Sequence, residues 1–183
     1  MIIIVEGIDR VGKTTLVNKL TESCDIKSFI DSYLNFNYLD FSSVTTKVIE
    51  VKGDRNNIVA NTEKINSLLN FFEQFSDKIG NILLDRFHFS EYVYGLVDRK
   101  YMSNEVFRNF DKRLAELNTL IIYVDPINLS WSSEQHGADL TYHCNAFEYV
   151  ISKTECEVVR CNFDTLDEVV LKIKERLAND TCV

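Results

Sequence analysis

The chain has 183 residues, of which 45% are hydrophobic and 26% charged, and it carries a formal net charge of −8 with a pI near 4.9. This length and balance fit one compact domain spanning 1–183 and exclude a disordered or low-complexity chain. The acidic excess repels a polyanion and so speaks against nucleic acid as a partner, whereas a small anionic ligand needs only a few local donors.

The opening run MIIIVE predicts a short buried strand over residues 1–6. Its apolar stretch is too short for a secretion signal or a membrane span, so the expected location is the cytoplasm and no membrane partner is expected. A glycine-bounded loop follows, and then KTTLVNKLTES, in which Leu16, Val17 and Leu20 share one helical face. A further strand is expected near Phe29–Leu34, and residues 35–60 read as irregular. Next come a helix over 65–75, the strand NILLD ending at Asp85, the helix FSEYVYGLV, a helix over 103–117 and the strand TLIIYVD. Residues 126–146, rich in Ser, Asn, Gly and His and holding the only proline, Pro126, read as a lid-like segment. The strand ECEVVRC and the helix LDEVVLKIKERL close the chain, with Leu166, Val169, Val170, Ile173 and Leu177 tracing an apolar stripe. Apolar strands alternating with helices predict an α/β three-layer sandwich, a five-stranded parallel sheet flanked by helices. In such sheets ligands bind beyond the carboxyl ends of the strands, so the segments after Glu6, Asp85 and Asp125 are expected to converge.

Cys24, Cys144, Cys156, Cys161 and Cys182 are odd in number and include no CxxC pair, as suits free thiols. His136, His143 and Cys144 lack the second spaced pair of a zinc site and are expected to be structural.

Gly7-Ile8-Asp9-Arg10-Val11-Gly12-Lys13-Thr14 is a complete GxxxxGK[ST] set between a strand and a helix. Gly7 and Gly12 let the backbone curl with its N–H groups inward, and the helix after Gly12 adds its positive dipole end. The expected ligand is ATP with Mg²⁺, gripped by this loop, with Thr15 either packing or touching phosphate. Lys13 is expected to face solvent and reach the β- and γ-phosphates, and the Thr14 hydroxyl to ligate the metal. Asp85, at the end of a buried strand, is the candidate second metal-binding group. Arg86 offers a bidentate grip on phosphate oxygens.

Three segments resemble the thymidylate kinase family of P-loop NTPases: EGIDRVGKTT at 6–15, DRFHFSEYVYG at 85–95, and NFDTLDEVVLKI at 162–173. The first two are the specific ones, matching EGxDxxGK[ST]T and DR[YFH] with a serine, Ser90, a few residues on. The resemblance implies that Asp9 faces the acceptor sugar, Arg10 contacts the transferring phosphate and Arg86 holds the acceptor phosphate, with Ser90 counted among the substrate-binding residues. Members with an arginine in the loop do not rely on lid arginines, and this chain has no Arg or Lys between Arg113 and Lys153. Independently of kinship, Arg10 and Lys13 must then carry most of the transition-state charge stabilisation. The family's ANR segment is replaced by Ala60-Asn61-Thr62, near Ile58, so the base-reading arginine is missing. Arg55 is a substitute candidate, and Phe71, Phe72 and Tyr94 are either stacking residues or core. Homodimers are common in the family, and the face around Leu68, Leu69 and Phe72 is either such an interface or core.

The expected activity is transfer of the ATP γ-phosphoryl group to a deoxynucleoside monophosphate, with dTMP or a related pyrimidine nucleotide foremost. Three alternatives stand beside it. One is a nucleoside or modified-base kinase in which Asp9, Glu6 or Asp85 activates a hydroxyl, the second a P-loop ATPase or nucleotide-binding regulatory module, and the third an interaction protein that kept the fold.

Overall fold

Four successive β-branched residues, Ile2 to Val5, lead into the buried strand β1 (Ile2–Glu6), which lies inside the sheet with both faces covered. The computed structural model describes residues 1–24, 27–28, 46–50, 58–79, 81–99, 103–130, 134 and 139–180. The other strands are β2 (Lys27–Ser28), β3 (Thr46–Glu50), β4 (Asn81–Asp85), β5 (Thr119–Val124) and β6 (Glu157–Cys161). They pair in the order β2-β3-β4-β1-β5-β6, and every pairing is parallel.

The described sheet therefore has six strands where the sequence predicts five. The additional one is β3, inside the stretch expected to be irregular. Its sequence TKVIE is too short and too charged to stand out, and pairing with β4, Val48 opposite Leu83, specifies it. At the edge, β2 lies just ahead of the strand expected at Phe29–Leu34, which falls outside the described residues.

Helices α1 (Lys13–Ser23), α2 (Ile58–Ile79), α3 (His88–Tyr94), α4 (Asn104–Glu116), α5 (Thr141–Ile151) and α6 (Leu166–Asp180) supply the crossovers. They pack in two groups, α1 on α6 in one, and α3 on both α4 and α5 with α2 on α4 in the other. Helix α4 starts where Ser103 accepts a hydrogen bond from Val106 N at 3.1 Å, a side-chain cap of an orphan donor. Helix α3 continues as a π-helical turn, Gly95–Arg99. The expected lid is partly regular, since Thr141–Ala146 belong to α5, while residues 131–133 and 135–138 lie outside the described set.

The core runs through Ile3, Ile4, Leu83, Leu84, Ile121 and Ile122 of the central strands, closed by Leu16, Leu20 and the α6 stripe. Leu68, Leu69 and Phe72 are all buried in it, so the face considered for dimerisation is filled within the chain. Phe71 packs half-buried against the same cluster. Among the described residues no helix is long and apolar enough to cross a membrane. The four described cysteines are free thiols, and His143 Nε2 lies 2.9 Å from Asp98 Oδ1, tying α5 to the π turn.

Candidate active site

The chain leaves β1 at Gly7 with φ 142°, a conformation that glycine adopts at no steric cost. A Cβ there would lie 2.6 Å from the Val124 carbonyl oxygen, so the end of β5 abuts the loop directly. Gly12 has φ 101°, and a Cβ on it would lie 2.8 Å from Cδ2 of Phe163, in the turn between β6 and α6. Between the glycines, Arg10 takes a left-handed φ of 63°, and across the cleft Arg86 takes 66°. Left-handed backbone costs an arginine about 1 kcal/mol or more and persists only where its surroundings impose it. Both strained residues line the same space.

That space is a cavity of about 540 Å³ bounded by Asp9, Arg10, Gly12, Lys13, Thr14, Asp85 and Arg86. The loop and the end of β4 thus converge as the sequence predicts. Asp125, just after β5, does not line it: its carboxylate accepts from Arg160 Nε at 2.9 Å, and Arg160 also bridges to Glu148.

Lys13 is only 6% exposed, contrary to the solvent-facing position expected of it. The curled loop closes over its stem, and Nζ donates to the Ile8 carbonyl oxygen. Burial, reinforced by the nearby Arg86 charge, lowers its pKa to about 7, while Asp9, Asp85 and Glu6 pull the other way. The charged form of a lysine is disfavoured by desolvation and by a like charge, so the loop holds a cation in want of an anion.

Arg86 donates through Nη2 to Asp9 Oδ1, and its guanidinium lies 5.5 Å over the Tyr94 ring, within cation–π reach. Burial opposes its charge, yet Tyr94 and Asp9 outweigh burial and hold its pKa above the ordinary value. Tyr94 is pushed up to about 12, chiefly by burial. Tyr94 also packs against His143 at 5.1 Å between ring centres, so α5 backs this wall.

Glu6, fully buried, organises the turn that carries Arg86. Its Oε1 accepts from the N–H groups of Phe87 at 2.8 Å, Phe89 at 3.1 Å and Ser90 at 3.2 Å, and Oε2 accepts from Ser90 Oγ. The N-terminus of α3 has no side-chain cap from its own flank; a carboxylate from β1 supplies the acceptor and the complementary charge. The sequence marks Glu6 as an acidic strand end, a motif residue and a candidate base, but not as a clamp on the turn after β4, because a partner more than 80 positions away leaves no local pattern. The Ser90 hydroxyl, expected at the substrate, is directed to Glu6 instead. Behind this turn, His88 Nε2 lies 3.0 Å from Asp111 Oδ1 on α4, and Asp111 Oδ2 accepts from Glu155 N at 2.8 Å.

Arg55 lies outside the described residues, and Ala60-Asn61-Thr62 falls in the first turns of α2. Thr14 is exposed and Thr15 half-buried at the start of α1.

Among solved structures, the chain is similar to the YorR protein of Bacillus subtilis, solved in complex with phosphorylated GDP. The TM-score is 0.68 at 16% identity, covering 99% of this chain and 98% of that one. It is also similar to a thymidylate kinase of Ehrlichia chaffeensis, with a TM-score of 0.51 at 17% identity over 97% and 98% of the two chains. The chain has the thymidylate kinase fold. No family model and no curated protein matches its sequence. Within that fold, the loop, Asp85 and Arg86 line one cavity in this chain.

Proposed function

We propose that this chain is a nucleoside monophosphate kinase that transfers the γ-phosphoryl group of ATP to a deoxynucleoside monophosphate, foremost dTMP or a related pyrimidine nucleotide. The observation that carries the reading is that Arg86, from the end of β4, lines the same cavity as the phosphate-binding loop and donates to that loop's Asp9. A guanidinium held in that position suits a second phosphate approaching the first, and offsets the repulsion between two polyanions.

In this reading the loop amides and Lys13 bind the donor's β- and γ-phosphates, Arg10 stabilises the transferring group and Arg86 holds the acceptor phosphate. Catalysis is then positioning and charge stabilisation with no covalent enzyme intermediate. Thr14 and Asp85 line one cavity and are the hard oxygen donors that Mg²⁺ prefers, so they would hold the ion. When bound, Mg²⁺ neutralises charge on the phosphate oxygens.

The structure bears on the hydroxyl-acceptor alternative. Such a reaction wants a carboxylate base; Glu6 is buried with four donors on it and Asp9 is paired with Arg86, which leaves Asp85 on the cavity wall as that alternative's remaining candidate. An acceptor phosphate needs no base. Binding of a guanine nucleotide by the YorR neighbour supports testing guanine acceptors as well as pyrimidine ones.

The deciding measurement is coupled ADP release with product identification over dTMP, dUMP, dCMP, GMP, dGMP and the parent nucleosides. A pyrimidine deoxynucleoside diphosphate is the expected product. Phosphorylated nucleoside would select the hydroxyl-acceptor alternative, and ADP with no phosphorylated product would select an ATPase or regulatory module.

A further inference from the structure

We propose that His143 is a positioning residue for Arg86: bonded to Asp98 on the π turn, its ring holds Tyr94 behind the guanidinium, so that helix α5 tunes the affinity for the acceptor's phosphate. The proposal rests on the reading of Arg86 as the cation that receives that phosphate, and names what holds Arg86 in place.

Four side chains form one run of neighbours. Arg86 Cζ lies 5.5 Å over the Tyr94 ring. The other surroundings of that ring come from α5, with His143 at 5.1 Å and Phe147 at 6.4 Å between ring centres. His143 Nε2 in turn lies 2.9 Å from Asp98 Oδ1. Tyr94 is the last residue of α3, and the π turn that follows it at once carries Asp98. The chain therefore leaves Tyr94, turns, and returns to the Tyr94 ring through the bond from Asp98 to His143. A π turn is a rare conformation found often at functional sites.

An imidazole at this place has a cost that only its bond to Asp98 offsets. His143 is 6% exposed. A carboxylate only accepts, which assigns the hydrogen to Nε2 and leaves Nδ1 as a bare acceptor. Nδ1 is buried and has no hydrogen-bond partner among the described residues, an arrangement that destabilises a fold. A phenyl ring would fill the same space without that acceptor. What the imidazole adds is the bond to Asp98, and that bond fixes the angle at which the ring meets Tyr94.

The consequence falls on Arg86. Its guanidinium donates to Asp9 and is faced by Tyr94. When a phosphate takes the place of Asp9, the Tyr94 ring continues to back the cation. A cation over an aromatic face is held more strongly where water is kept away, and a guanidinium already oriented loses less freedom when it grips an anion. Loosening His143 lets Tyr94 turn from the guanidinium and weakens the acceptor side, while the phosphate-binding loop keeps its own amides and Lys13.

The test is titration of inorganic phosphate, at low salt and followed by phosphorus NMR, into the full chain saturated with Mg²⁺ and the β,γ-imido analogue of ATP. The analogue fills the loop and cannot transfer its phosphate; its own affinity is read by calorimetry, and thermal melts confirm folding. His143→Ala should weaken phosphate binding by roughly threefold to tenfold, the range of a cation–π contact, and leave the analogue's affinity unchanged. Asp98→Ala, on a side chain 49% exposed, disturbs no core and should weaken phosphate by roughly twofold; it carries the test if His143→Ala does not fold. Arg86→Ala should weaken phosphate by about tenfold or more. In a Tyr94→Ala background, His143→Ala should change phosphate affinity no further. Unchanged phosphate affinity in either His143→Ala or Asp98→Ala, while Arg86→Ala weakens it, overturns the positioning role and leaves the kinase reading standing. So does a loss in His143→Ala that falls equally on the analogue, or that persists in full without Tyr94. Phosphate binding that Arg86→Ala does not alter overturns the reading of Arg86 and this role together, and so does a wild type that binds no analogue.

Discussion

The Arg86 guanidinium and the Asp9 carboxylate are joined across the mouth of the phosphate-binding loop. Each side chain is 28% exposed, so the pair is partly screened and worth on the order of 1 kcal/mol. It places an internal anion on the cation proposed to receive the acceptor's phosphate, and an incoming phosphate must share or displace it. Asp9→Asn should therefore tighten binding of plain inorganic phosphate, a probe without a sugar for Asp9 to touch, by roughly fivefold. Arg86→Ala should weaken it in either background. Titration calorimetry at low salt reads both; unchanged or weaker phosphate binding in Asp9→Asn would show that the carboxylate does not compete.

Glu6 makes its case through stability. Removing a fully buried carboxylate that accepts three N–H groups and one hydroxyl leaves donors unsatisfied, each at about 1–3 kcal/mol. Glu6→Ala should lose more than roughly 3 kcal/mol in urea unfolding, and Ser90→Ala only about 1 kcal/mol, since Glu6 keeps its three backbone donors. If Glu6→Ala unfolds at the wild-type urea midpoint, the carboxylate does not hold the turn. A loss in Ser90→Ala as large as in Glu6→Ala would instead place the clamp's weight on the hydroxyl.

The contrast between Lys13 and Ser90 shows what the sequence makes legible. The GxxxxGK[ST] spacing identifies the loop because the chemistry is local: glycine conformations, backbone amides and a helix start all lie within eight residues. The strands β1, β4 and β5 are legible for the same reason, as continuous apolar runs. Side-chain direction is not local. Lys13 turns inward and donates to the loop's own Ile8 carbonyl, and Ser90 turns to Glu6 across 84 positions of sequence. β3 escapes because its identity lies in its neighbour, β4. The β4-β1-β5-β6 order, which places Arg86 on one side of β1 and Phe163 on the other, likewise follows from pairing and not from any single segment.

Lys13 carries a pH dependence whose sign is fixed. Its pKa is about 7 in the fold against 10.5 in the unfolded chain. Between those values the unfolded state binds more protons, so this residue makes stability rise with pH across that window and withholds the gain below it. Phosphate binding runs the other way, because it needs the ammonium. Above about pH 7, ATP affinity should fall by up to tenfold per pH unit, and binding should take up a proton, visible as a buffer-dependent calorimetric enthalpy. Lys13→Met should flatten both dependences. An ATP affinity that stays level from about pH 7.5 to 9.5 in the wild type would contradict a depressed lysine at the cradle.

Gly12 is required on two independent counts, and a double-substitution cycle separates them. Its φ of 101° strains any residue with a Cβ, and that Cβ would also meet the Phe163 ring at 2.8 Å. Gly12→Ala should destabilise the chain by about 1–2 kcal/mol from the backbone alone, with overpacking against Phe163 adding a further 1 kcal/mol or so. Phe163→Ala removes the second contribution and leaves the first. In urea unfolding, Gly12→Ala should therefore cost less in the Phe163→Ala background than in the wild type, a coupling of about 1 kcal/mol between the sites. Zero coupling would mean that the ring swings aside from an added methyl group, and hence that it is not held firmly against the loop.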